Sequence, residues 1–78
     1  MDWLVYILRC ADNTFYTGIT NDMEARLLKH GNGTGAKYTK GRGPFSVVYS
    51  ERFENRSQAS KREAAIKSMS KQEKLGLL

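Results

Sequence analysis

Residues 3–8 read Trp-Leu-Val-Tyr-Ile-Leu, an apolar run of aromatic and β-branched types that predicts a strand over 3–10. Trp3, Val5 and Ile7 fall on one face, and Leu4, Tyr6 and Leu8 on the other. A strand apolar on both faces is covered on both, so helices are expected on each side of its sheet. Asp12-Asn13 is a turn signal, and Phe15 to Thr20 follows as the second strand of a hairpin. Residue numbers across such a ladder sum to a constant. Tyr6 and Tyr16 therefore share a face only if that sum is even, as with Tyr16 opposite Cys10 across an odd loop such as Asp12-Asn13-Thr14. A regular two-residue turn, with Tyr16 opposite Arg9, separates them.

Asn21 or Asp22 can cap a first helix, with Glu24 in its first turn, that runs to Lys29 or His30 and stops at Gly31. Residues 31–43 hold five of the seven glycines and form a long basic loop. Phe45, Val47, Tyr49, Glu51 and Phe53 alternate along a third strand. A second helix over 57–69 follows a cap at Asn55 or Ser57, and a short last turn runs from Ser70 or Lys71 to Gly76. The fold class is α/β (α+β): a small, mainly antiparallel three-stranded sheet flanked by helices, in the order ββαβα plus a short C-terminal helix. Residues 1–78 form a single domain.

Length narrows this further, because 78 residues are too few for a Rossmann domain or a TIM barrel. Thirteen Lys and Arg against eight Asp and Glu leave a net charge of +5, which points to an anionic partner, nucleic acid or a membrane surface. The N-terminal apolar run follows an acid and is too short for a secretory leader or a membrane span of about 20 residues. A cytoplasmic protein with no membrane partner is expected. The one cysteine, Cys10, excludes an internal disulfide framework and a cysteine zinc site, and reads as strand-end packing.

Candidate chemistry is sparse. Arg26 and His30 are i, i+4 neighbours on the first helix. From the helix alone, a solvated Arg26 and a His30 beside the helix C-terminus is the simpler reading. Glu63 sits beside the apolar stripe of the second helix, where a carboxylate needs a partner. A salt bridge to Arg26 or Arg56 and a metal ligand in a cleft are equally open. Tyr6 and Tyr16 read by themselves as core aromatics with hydroxyls at the rim. Gly18, inside a strand, marks a bulge or a close backbone approach.

Taken together, these residues resemble the GIY-YIG nuclease domain. Its two namesake motifs correspond to Leu4-Val5-Tyr6 and Tyr16-Thr17-Gly18, its first-helix Arg and His to Arg26 and His30, and its metal-binding Glu to Glu63. The first motif lacks the Gly, and Thr17 stands where the second has Ile. The ending Arg62-Glu63-Ala64-Ala65-Ile66-Lys67, then Glu73-Lys74-Leu75-Gly76-Leu77, is similar to that of small stand-alone bacterial GIY-YIG proteins of unassigned function. The resemblance covers nearly the whole chain.

The resemblance implies hydrolysis of phosphodiester bonds with one divalent ion, Mg²⁺ or Mn²⁺, held by Glu63. Arg26 would bind the scissile phosphate. A tyrosine would activate water, with His30 taking its proton. Tyr6 is preferred for that role over Tyr16, although the sequence does not decide between them. All five residues are expected to converge on one cleft. The loop residues Lys37, Lys40 and Arg42 would contact phosphates. A monomer acting on DNA, with branched, nicked or flapped structures as candidate substrates, is the first reading. A nucleic-acid-binding module with little activity is the alternative, and a domain that binds a protein partner through its basic face is the third.

Overall fold

The hairpin turn decides the register of the sheet. In the computed structural model, which describes residues 2–33 and 35–78 (at Lys37 the backbone only), β1 (Trp3–Arg9) and β2 (Phe15–Thr20) run antiparallel. Tyr6 lies opposite Gly18 and Leu8 opposite Tyr16. The ladder sum is even, so the two tyrosines share a face, one pair away from the expected Tyr16–Cys10 pairing. The odd loop is Ala11-Asp12-Asn13. Cys10 N–H donates to the Thr14 carbonyl at 2.8 Å and Asn13 N–H to the Cys10 carbonyl at 3.0 Å. This is a turn closed by a left-handed residue, Asn13 at φ 65°. Asp12 fastens it by accepting from Thr14 Oγ1 at 2.6 Å.

β3 (Ser46–Phe53) pairs antiparallel with the other side of β1, giving the order β2-β1-β3. A bulge breaks the expected alternation along β3: Tyr49 faces Ile7 while Val47 faces Leu8. Tyr49 and Phe53 pack on the core. Val47 is exposed, and the Phe45 ring lies 5.9 Å from that of His30. One extra residue in a strand reverses the side-chain parity beyond it.

Each face of β1 has its own cover. On the Val5–Ile7 face, α2 (Arg56–Lys67), capped by Asn55, closes the core through Ala59 and Ile66. Arg62 Nε donates to Glu51 Oε2 at 2.8 Å and the Tyr49 hydroxyl donates to the same oxygen at 2.6 Å, which ties α2 to β3. Burial opposes ionisation of Glu51, yet these two donors hold its carboxyl below the usual range. α3 (Lys71–Leu75) starts from a capping box between Ser70 and Glu73. On the Tyr6 face lie α1 (Met23–Gly31), capped by Asp22, and a 3₁₀ turn over Lys37–Thr39. The helix runs through Gly31 and is capped by Asn32. Gly33, at φ 83°, takes a left-handed position just past the cap, two residues beyond the expected stop at Gly31. The loop is thus partly structured. Among the described residues no helix is long and apolar enough to cross a membrane.

Candidate active site

The site begins at Tyr6, whose ring lies fully buried between the sheet and α1. Its cross-strand partner Gly18 makes room for it. A Cβ at Gly18 would stand 2.6 Å from the Tyr6 hydroxyl oxygen and 3.0 Å from the Tyr16 ring. The close approach inferred for Gly18 is therefore an approach of two tyrosines, and no larger residue fits without moving them.

A directed chain of hydrogen bonds runs through the Tyr6 hydroxyl. Thr39 Oγ1 donates to the Ala36 carbonyl at 2.9 Å, so it accepts from His30 Nδ1, 2.8 Å away. His30 then carries its proton on Nδ1 and presents the lone pair of Nε2. The Tyr6 hydroxyl donates to that lone pair at 2.9 Å. Arg26 Nε donates to the same hydroxyl at 3.2 Å. A carbonyl can only accept and a guanidinium can only donate, so the two ends fix the direction of every link. His30 is 1% exposed. The simpler helix-only reading, a solvated Arg26 and a histidine serving the helix dipole, gives way to an i, i+4 pair, His30 buried and Arg26 half-buried, gripping one hydroxyl.

The electrostatics follow from this burial. Desolvation, with Arg26 adding its charge, pushes the His30 pKa below the usual value, so the imidazole is neutral at pH 7. Desolvation raises the Tyr6 hydroxyl, and the Arg26 hydrogen bond and charge only partly offset it. The hydroxyls of Tyr6 and then Tyr16 raise the Arg26 pKa against the cost of its partial burial. Neutral histidine, protonated tyrosine and charged arginine are the resting forms.

Beyond Arg26 a cleft of about 520 Å³ opens along the outer edge of β2, lined by Tyr16, Arg26 and Glu63 among others. Arg26 and Glu63 come from helices on opposite faces of the sheet, an arrangement expected to keep them apart. They line one cleft from its two sides because β2 is an edge strand. Tyr16 bridges inward, with its ring 5.2 Å from His30 and 6.3 Å from Tyr6. Three of the five residues thus border the cleft, while Tyr6 and His30 form its buried backing.

Glu63 is bonded to Lys67 at 3.4 Å, one helical turn on, and not to Arg26 or Arg56. Its side chain keeps 23% exposure. The other cleft carboxylate, Asp22, caps α1 by accepting from Ala25 N–H. No group of three or more His, Cys, Asp or Glu able to hold a metal occurs among the described residues. One partly exposed carboxylate beside open space suits a magnesium-like ion, which takes one or two carboxylates and completes its shell with water and phosphate oxygens. It does not suit a zinc cage.

The loop cations are dispersed. Lys40 is exposed. Arg42 pairs with Asp12 at 2.5 Å and lies 4.5 Å over the Tyr38 ring, pinning the loop to the hairpin turn. The Lys37 side chain lies outside the described residues. Sequence reasoning missed Thr39, which sets the His30 tautomer, and Gly35, where a Cβ would stand 2.7 Å from His30 Nδ1. Nothing in the local pattern marks either. Lys67 was legible as the i+4 partner of Glu63.

Residues 2–75 match the model of the GIY-YIG catalytic domain. The UPF0213 protein of Clostridium perfringens is 53% identical over 74 residues, which cover 95% of this chain and 80% of that protein. That of Oceanobacillus iheyensis is 54% identical over 74 residues, 95% of this chain and 86% of that one. Among solved structures, the NMR structure of a UPF0213 protein from Bacillus halodurans superposes with a TM-score of 0.63 at 44% identity, covering 99% of this chain and 82% of that one. With the motif residues gathered around one strand edge and the family model spanning nearly all its length, the chain belongs to the GIY-YIG catalytic domain family.

Proposed function

We propose that the chain is a divalent-metal-dependent endonuclease that hydrolyses DNA phosphodiester bonds in the cleft along β2. Membership of a nuclease domain family supports the reaction class and a nucleic-acid substrate. The observation that carries the proposal is the hydrogen-bond chain from Ala36 through Thr39, His30 and Tyr6 to Arg26, which ends on the cleft that Glu63 borders from the other side.

The residues divide the work. Arg26, held through Nε by Tyr6 and hydrogen-bonded also to Tyr16, faces the cleft, where its guanidinium binds a phosphate and its developing charge. Tyr6 and His30 orient Arg26 from behind. Because Tyr6 has no exposed surface, this reading moves the contact with the attacking water from Tyr6 to Tyr16, the tyrosine on the cleft. An unperturbed tyrosine is ionised in only about one molecule in a thousand at pH 7. A divalent ion bound by Glu63 would supply positive charge to the leaving oxygen.

The test is a cleavage screen on single-stranded, duplex and branched DNA with Mg²⁺ or Mn²⁺. Cleavage is expected to need the metal and to fall at least a hundredfold in Glu63→Gln and in Arg26→Ala. Metal-independent cleavage, or activity unchanged in both variants, would overturn the proposal. The Lys67–Glu63 pair favours the second reading, a binding module with little turnover, since it satisfies the carboxylate without an ion. DNA binding at full strength with no cleavage under any metal supports that alternative.

A further inference from the structure

The cleft does not end at the catalytic residues. It continues along the outer edge of β2 in two smaller hollows. One is lined by Tyr16, Phe15, Tyr38, Lys67 and Lys74, and the next by Thr14, Phe15, Tyr38, Lys71 and Lys74. Phe15 and Tyr16 floor the groove, and β2 has no further strand beyond it. Lys67 at the end of α2 and Lys71 and Lys74 on α3 contribute three cations, and no carboxylate lines either hollow. Tyr38, 44% exposed, is shared by both hollows and stacks on Tyr16 with ring centroids 6.0 Å apart. Lys71 Nζ donates to the Asn13 carbonyl at 3.0 Å and lies 5.6 Å over the Phe15 ring, so α3 is fastened beside the strand edge.

We infer that this groove is a track for the sugar–phosphate backbone of a nucleic-acid strand, running from Arg26 and Glu63 along β2 to α3. The lysines of α3 hold its phosphates, and Tyr38, in contact with Tyr16 and Arg42, walls the track beside a base or sugar. A six-residue strand at about 3.3 Å per residue gives the track a length of roughly 20 Å. Aromatic surface beside a cationic groove is the pattern that holds a strand without reading its sequence. The α3 turn then serves the active site, giving a function to a segment that adds little to the core. This inference rests on the nuclease reading for the identity of the partner.

The experiment measures fluorescence anisotropy with labelled single-stranded and duplex DNA oligonucleotides, in a Glu63→Gln background that prevents turnover. Lys74→Glu is compared with Arg52→Glu, an equal charge change on exposed Arg52 of the opposite edge strand. Lys74→Glu should weaken binding at least tenfold and Arg52→Glu less than twofold. Lys71→Gln with Lys74→Gln should flatten the salt slope on single-stranded DNA by about 1.4, two contacts at roughly 0.7 each. Tyr38→Ala should weaken binding and leave the slope unchanged. Far-UV circular dichroism confirms that each variant is folded. Equal losses in Lys74→Glu and Arg52→Glu, or no loss in Lys74→Glu, would overturn the track while leaving the nuclease reading intact. Selective loss in Lys74→Glu, in a protein that never cleaves, keeps the track and removes the nuclease. Failure to bind either oligonucleotide removes both.

Discussion

Single residues carry the sharpest conflicts in this chain. Thr17 is 3% exposed and its hydroxyl is the buried side-chain polar atom without a partner among the described residues. It faces Ile7 on the core side of β2, where the family motif has an apolar residue. Thr17→Val keeps the shape and removes the stranded hydroxyl, so it should stabilise the fold by about 1 kcal/mol. Urea midpoints of the two proteins measure it, and a destabilised Val variant would mean that the hydroxyl has a partner after all. His30 carries the opposite lesson, since it is buried and fully bonded. Its folded pKa lies below its unfolded value of about 6.5. Below pH 6.5 the unfolded chain therefore takes up a proton that the folded chain resists, and stability falls as the pH drops toward the folded pKa. The sequence has one histidine, so a decline in thermal midpoint between pH 7.5 and 5.5 is attributable to it. His30→Gln should flatten that decline.

At the scale of elements, the hairpin turn holds the register that brings Tyr6 and Tyr16 together. Asn13 sits at φ 65°, a region costing an ordinary residue about 1 kcal/mol or more and asparagine or glycine little. Asn13→Ala should lower stability by about 1 kcal/mol, whereas Asn13→Gly should stay within about 0.5 kcal/mol of the parent. Equal stability of the two variants in urea denaturation would show that the turn does not depend on the left-handed residue. The bulge in β3 has a comparable role. By reversing parity it leaves Tyr49 and Glu51 to anchor α2 while Phe45 closes against His30. Both features add or place a single residue, and each moves a set of side chains to the face where they are needed.

For the whole molecule, the net charge of +5 sets the response to salt. Four phosphate contacts on duplex DNA would give a slope of log affinity against log salt of about −3 to −4. Lys40, exposed and free to reach a phosphate, should account for about 0.9 of it. Arg42, held by Asp12 and stacked on Tyr38, should account for less. Titrations of Lys40→Ala and Arg42→Ala at several salt concentrations decide between them. A larger effect from Arg42 would mean that the ion pair opens on binding.

What the chain determined by itself and what folding decided divide along a physical line. Local pattern was enough for the three strands and for helix caps within one or two residues of Asp22, Asn55 and Ser70, because these depend on residues a few positions apart. It left the parity of the hairpin open between an odd loop and a two-residue turn, and the folded turn selected the odd loop. The motif residues Tyr6, Tyr16, Arg26, His30 and Glu63 were legible as a set through family resemblance, and their spacing alone left simpler readings open. Tertiary structure decided their relations. Whether Arg26 and Glu63 could meet depended on β2 being an edge strand, a property of strand order that no local window contains. The His30 tautomer depended on Thr39, nine residues away across a loop. The burial of Tyr6 and the exposure of Tyr16 depended on what α1 covers, since alternation assigns two residues to one face and says nothing of where along that face the cover ends.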